Sequence, residues 1–168
     1  YAASPDGIYF GNENSNLIDK SNWKIVTPNS FKGIYNYNNT IVCFTSDYIF
    51  KYNTDANNYD LLDQGNFTYL SINNGKMIIG NSSSAIVYSD INNKSSINTD
   101  GNTTYIAYDS NNGYYWYNQK DGGLTASKAE GTTLTNTLSD IIPNSPKQNY
   151  FYSMLWKNNL LYCTGGGI

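Results

Sequence analysis

Phe67-Thr68-Tyr69-Leu70-Ser71-Ile72-Asn73-Asn74-Gly75-Lys76-Met77-Ile78-Ile79-Gly80 carries the reading of the fold. Two apolar, strand-forming arms flank an Asn-Asn-Gly centre. A tight hairpin turn needs positive φ at its central residues, which Asn and Gly tolerate best, so the phrase reads as a β-hairpin. The phrase recurs. Phe31-Lys32-Gly33-Ile34-Tyr35-Asn36-Tyr37 passes through Asn38-Asn39 into Thr40-Ile41-Val42-Cys43-Phe44. Tyr105-Ile106-Ala107-Tyr108 passes through residues 109–113 into Tyr114-Tyr115-Trp116-Tyr117, and residues 150–156 pass through Lys157-Asn158-Asn159 into Leu160-Leu161-Tyr162. Phe31 to Phe67 is 36 positions, and Phe67 to Thr103 is another 36.

Two further strands follow each of the first two hairpins. Asp47-Tyr48-Ile49-Phe50-Lys51-Tyr52 and Tyr59-Asp60-Leu61-Leu62 follow one; Ser84-Ala85-Ile86-Val87-Tyr88 and Ser95-Ser96-Ile97 follow the other. Four short strands in a period near the ~40 residues of known blades predict an all-β chain, a β-propeller of four-stranded antiparallel blades. Asparagine abundance alone would scatter turns, but would not align the apolar arms. The start fits the template out of phase, with Tyr1-Ala2-Ala3 as a second strand, Gly7-Ile8-Tyr9-Phe10 as a third and Trp23-Lys24-Ile25-Val26 as a fourth. The end supplies only a first and a second strand. The expected organisation is a partial blade at 1–27, blades at 31–63, 67–98 and 103–129, and a partial blade at 148–168. That is about four to five blades' worth, read as part of a ring with cut edges. In the third blade Leu124-Thr125-Ala126-Ser127-Lys128 reads as a fourth strand. Residues 134–142 read as a single helical turn or a long inter-blade loop, before Pro143 and Pro146 mark the connection to the last hairpin.

Composition narrows the function. Hydrophobic residues make up 39% of the 168 and charged residues 14%, which is a folded composition rather than a disordered one. Seventeen tyrosines, three tryptophans and six phenylalanines suit half-buried pleated strands. A net charge of −3, with ten Lys+Arg spread along the chain, offers no basic face for nucleic acid. No apolar run approaches the ~18–20 residues of a membrane-spanning helix.

The chain has no histidine, which removes the commonest general base and metal ligand and the usual Ser or Cys triads. It has no Cys-x-x-Cys pair for zinc and no phosphate-binding Gly-x-x-x-x-Gly-Lys loop, and Gly165-Gly166-Gly167 reads as a turn or close backbone approach. Cys43 and Cys163 each lie in an apolar strand pattern and read as buried thiols, although sequence does not decide against a disulfide. Glu13, Asp60, Asp63, Asp109 and Glu130 are the carboxylates to consider for acid–base chemistry, but most sit beside Asn, Gly or Ser, where turn hydrogen bonding explains them. The sequence therefore assigns no catalytic, cofactor-binding or metal-ligating residue and predicts a non-enzyme. Asn-x-Ser/Thr sequons begin at Asn38, Asn66, Asn81, Asn93 and Asn102 and are expected by chance in this composition. Ser4-Pro5-Asp6-Gly7 and Ser110-Asn111-Asn112-Gly113 approach the Asp-box turn of sialidase-like propellers but lack its spacing, and read as hairpin turns.

One stretch is a candidate contact surface. Tyr114, Tyr115, Trp116 and Tyr117 place rings on both faces of one strand. Inter-blade packing explains such rings. Stacking on a glycan or a protein partner is the functional alternative.

Tyr1-Ala2-Ala3-Ser4-Pro5-Asp6-Gly7-Ile8-Tyr9 and Asn16-Leu17-Ile18-Asp19-Lys20-Ser21-Asn22-Trp23-Lys24 form one set of blade-like phrases. Asn73-Asn74-Gly75-Lys76-Met77-Ile78-Ile79 and Leu160-Leu161-Tyr162-Cys163-Thr164-Gly165-Gly166-Gly167 complete it. Together they resemble the N-terminal propeller of PorZ-type proteins of the type IX secretion system and, more loosely, the propellers of two-component regulators. The PorZ resemblance implies an exported, non-catalytic component at the cell surface or in the periplasm of a Gram-negative bacterium. It also implies a sortase-like protein partner and the handling of anionic lipopolysaccharide. The family has no catalytic motif to carry over. The looser resemblance implies a periplasmic ligand-sensing propeller, and a glycan-processing propeller enzyme is a third alternative.

Overall fold

The computed structural model describes residues 1–53, 56, 58–99, 101, 103–119, 123–141, 151–158 and 160–165. Seventeen strands form five antiparallel meanders among these residues, with one short 3-10 turn at Lys20–Asn22. The first sheet runs β1 (Ala2–Ser4), β2 (Gly7–Gly11), β3 (Trp23–Thr27). The second runs β4 (Gly33–Tyr37), β5 (Thr40–Phe44), β6 (Tyr48–Asn53), β7 (Asn58–Gln64). The third runs β8 (Tyr69–Asn73), β9 (Lys76–Gly80), β10 (Ser84–Asp90), β11 (Asn93–Asn98). The fourth runs β12 (Thr103–Asp109), β13 (Tyr114–Gln119), β14 (Gly123–Glu130), β15 (Thr133–Ile141), and the fifth pairs β16 (Phe151–Lys157) with β17 (Leu160–Gly165). In every sheet each strand is hydrogen-bonded to its neighbour in sequence.

The turns explain why the strands fold back where they do. Asn38 and Asn39 have φ of 49° and 62°, and Asn74 and Gly75 have φ of 49° and 76°. Positive φ at both central residues is the type I′ signature, whose twist matches that of the strands it joins. Tyr37 accordingly pairs with Thr40 and Asn73 with Lys76, each across a two-residue loop. A different device closes β12 and β13. The buried Asp109 carboxylate accepts from the Asn111 N–H and the Asn112 side-chain amide, both at 2.9 Å, so the loop is held by its own first residue.

The 36-residue period is written in backbone hydrogen bonds as well as in sequence. Lys32 N–H donates to the Phe44 carbonyl at 2.8 Å, and Thr68 N–H to the Gly80 carbonyl at 2.8 Å. Thr45 N–H donates to Tyr48 at 2.8 Å, and Asn81 N–H to Ser84 at 2.9 Å. Side-chain size is exchanged within the repeat. Gly33 faces Phe44 across the β4–β5 ladder, whereas Tyr69 faces Gly80 across β8–β9, so one ring per pair comes from either strand. At Gly80 a Cβ would run into the Ser84 carbonyl oxygen and the Ala85 backbone, which restricts that position to glycine.

Residues 134–142 were expected as a helical turn or loop. Thr133–Ile141 is instead β15, and the fourth sheet extends past residue 129. Leu124-Thr125-Ala126-Ser127-Lys128 is consequently the third strand, not the fourth. The reason is local: Gly131 has φ of 61°, and the Gly131-Thr132 turn pairs Glu130 with Thr133 and reverses the chain. Pro143 and Pro146 lie outside the described residues.

The chain divides into two compact units, Tyr1–Phe67 and Thr68–Ile168. In the first, Ile8 of one sheet packs with Phe31 and Cys43 of the next, and Ala3, Val26, Ile34, Phe50 and Tyr59 close around them. In the second, Ile78, Ala85, Val87 and Ile97 of the third sheet pack against Ile106, Tyr115 and Tyr117 of the fourth. Ala107 and Leu124 of the fourth then pack against Met154 of the fifth. Ile8, Cys43, Ile78 and Ile106 are all fully buried, and each large apolar chain so buried contributes about 1.5–3 kcal/mol.

Candidate functional site

β13 carries the four aromatics singled out from sequence, and strand alternation sorts them onto two faces. Tyr115 and Tyr117 are buried against the third sheet. The Tyr115 hydroxyl accepts from the Lys76 ammonium at 3.0 Å, and that ammonium sits 4.0 Å from the Tyr108 ring centroid. The Tyr117 and Ser127 hydroxyls share a hydrogen bond at 3.1 Å. Both tyrosines are therefore held inside the fold at both ends of the ring.

Trp116 lies on the opposite face, half-buried, between Ala107 and Ala126 on the flanking strands. These small neighbours leave room for the indole, which stacks on Trp156 of β16 with ring centroids 6.3 Å apart and an interplanar angle of 12°. Its Nε1 is buried and makes no hydrogen bond. Tyr114 shares that face nearer the turn and is also half-buried, with the Lys128 ammonium of β14 standing 5.0 Å from its ring centroid. Of the four candidates, Tyr114 is the one that stands beside an exposed cation. Lys128 and Trp156 escaped the sequence reading. Hairpin register, which sets Tyr115 against Ser127, is the signal that points to Lys128. Trp156 carries no such signal, because it arrives from another sheet.

Three of the carboxylates considered for chemistry are occupied locally. Asp60 accepts from the Asn53 side-chain amide at 3.1 Å, Asp63 from the Gln64 N–H at 3.0 Å, and Asp109 from its own loop. Among the described residues no group of three or more His, Cys, Asp or Glu is placed to hold a metal, and no helix is long and apolar enough to cross a membrane. Cys43 is a free, buried thiol. The Cys163 side chain lies outside the described residues, as do Gly166 and Gly167.

A second site is a cleft of about 290 Å³ within the first unit, which the sequence did not reveal. Val26 and Thr27 of β3, Asn29 and Phe31 of the segment that follows, Phe50 of β6, and Asn58 and Tyr59 of β7 line it. Phe31 meets Phe50 edge-on at 6.1 Å between centroids and Tyr59 at 5.9 Å with a 37° tilt. The Tyr59 hydroxyl is buried without a hydrogen-bond partner. Burial, with the Cys43 thiol as a lesser contributor, pushes its pKa up from 10.0. An unsatisfied buried hydroxyl costs about 1–3 kcal/mol.

Solved structures with the same arrangement of sheets place these meanders in a fold class. One is PorZ, described as an essential bacterial surface component of the type IX secretion system of Porphyromonas gingivalis. It is 15% identical over 96% of this chain, with a TM-score of 0.63. A chain of the mitotic checkpoint complex is 14% identical over 98%, with a TM-score of 0.66. Kluyvelomyces marxianus Hsv2 is 13% identical over 86%, with a TM-score of 0.57. These sheets are β-propeller blades. The propeller segment spans 22% of the PorZ chain, 55% of the checkpoint chain and 48% of Hsv2. No family model and no curated protein matches its sequence.

Proposed function

We propose that this propeller is a non-catalytic binding scaffold in a cell-surface secretion complex of a Gram-negative bacterium, and that it engages a protein partner. The likeness to PorZ over 96% of the chain supports this reading. The local hydrogen bonding of Asp60, Asp63 and Asp109 agrees with it, since those carboxylates serve loops and strands rather than a reacting group.

The test uses the intact gene product in its own host. Protease shaving of whole cells should remove it, and in-frame deletion should retain secreted proteins inside the cell. Residence in the cytoplasm, or unchanged secretion after deletion, would overturn the assignment.

A contact with anionic lipopolysaccharide belongs to the same reading. Tyr114 and Lys128 support it, because a half-exposed ring beside an exposed ammonium offers both a stacking surface and a counter-charge. Binding of purified lipopolysaccharide that is unchanged by Tyr114→Ala and Lys128→Ala together would remove this contact from the proposal.

A further inference from the structure

We infer that the cleft between β3 and β7 is a binding site for a single neutral sugar residue. The inference stands apart from the secretion reading, since it rests on a different unit and different side chains.

Size comes first. About 290 Å³ lies at the lower limit of ligand clefts, so the site takes one ring rather than an extended chain. Chemistry comes next. Phe31, Phe50 and Tyr59 supply aromatic surface, and Asn29, Asn58 and Thr27 supply amide and hydroxyl groups. Among the described residues no charged side chain lines the cleft, so an anionic or cationic ligand would lose its hydration without gaining a counter-charge. A purely apolar ligand would strip water from the two amides without replacing their hydrogen bonds. A neutral sugar meets both requirements. Its C–H face covers the rings, and its hydroxyls, which both donate and accept, pair with amides that do the same.

Access points the same way. Asn29 and Asn58 are exposed, so the polar groups stand where a ligand enters.

The experiment is a ¹H–¹⁵N correlation titration of the chain with methyl glycosides of glucose, galactose, mannose and N-acetylglucosamine. Methyl glucuronide serves as an anionic comparison and N-acetylphenylalanine amide as a peptide-like one. At least one neutral glycoside should shift the amide signals of Asn29, Phe50 and Asn58 with affinity near millimolar, as suits one small ring. Asn58→Ala should weaken it at least about fivefold, the effect of losing one hydrogen bond. Asn58 is exposed, so this variant keeps the fold, and an unchanged spectrum away from the cleft verifies that. Asn29→Ala, at the other exposed amide of the cleft, should weaken binding likewise while leaving the cleft walls in place. No shift with any neutral glycoside, equal binding of the glucuronide, preferred binding of the phenylalanine amide, or affinity untouched by both variants would each overturn the inference.

Discussion

The Ser71 hydroxyl donates a 2.6 Å hydrogen bond to the Ile106 carbonyl, tying the first strand of the third sheet to the first strand of the fourth. Both residues are buried. Together with the Asn74 side-chain amide, which donates to the Tyr108 carbonyl at 2.9 Å, and the Lys76 ammonium, which donates to the Tyr115 hydroxyl, it adds direction to the apolar contacts between the two blades. Ser71→Ala should lower stability by about 1–2 kcal/mol, because a buried acceptor loses its partner. A urea titration should show a lower midpoint with an unchanged slope. A midpoint equal to that of the parent chain would show that the hydroxyl contributes nothing to inter-blade order.

The hairpin turns at Asn38-Asn39 and Asn74-Gly75 occupy the same place in successive blades but differ at the second central residue. Asn39 bears φ of 62° and Gly75 bears φ of 76°. Glycine is the better residue there, so Asn39→Gly should stabilise by a few tenths of a kcal/mol, and Gly75→Ala should cost about 1 kcal/mol. A Cβ at Gly75 meets open space, so the cost is conformational and not steric. Thermal melts of the two variants should move in opposite directions.

Trp116 and Trp156 stack 6.3 Å apart at 12°. Two indoles at that separation couple, so the circular dichroism spectrum should carry a signed couplet that either Trp116→Phe or Trp156→Phe abolishes. Trp116→Ala should also destabilise by about 3 kcal/mol, near the low end for buried tryptophans because the ring is only half-buried. A couplet that survives both phenylalanine variants would mean that the rings do not stack in solution.

Cys43 is fully buried, and burial pushes its thiol up from 9.0 to about 12. The unfolded chain therefore releases this proton first as pH rises. The contribution of the neutral thiol to stability is complete below pH 9 and is lost progressively between pH 9 and about 12. Burial raises the Tyr59 and Tyr69 phenols in the same sense, which adds to the loss above pH 10. Denaturation midpoints should hold steady to about pH 8 and fall beyond pH 9, and Cys43→Ala should make that fall shallower. At pH 8 Cys43 should resist iodoacetamide until the chain is unfolded, as read by peptide mass spectrometry. Ready labelling of the folded chain would show the thiol to be accessible.

The blades were legible in the sequence because their signals are local. Asn38-Asn39 and Asn74-Gly75 specify reversal through backbone sterics alone, and strand alternation needs no distant partner. β15 is less legible for a related reason. Threonine and leucine at irregular spacing do not distinguish a helical turn from an outer strand, and only the positive φ of Gly131, which pairs Glu130 with Thr133, settles the matter.

The sequence by itself determined that Tyr114 and Trp116 lie on one face of β13 and Tyr115 and Tyr117 on the other. It did not determine what covers either face. The third sheet buries Tyr115 and Tyr117, Trp156 of β16 caps Trp116, and Lys128 stands beside Tyr114. The cleft lined by Phe31, Phe50 and Tyr59 likewise exists only once β3 and β7 come together. Period-two geometry is a property of one strand, whereas burial and cavities belong to pairs of sheets, whose residues are brought together only by packing.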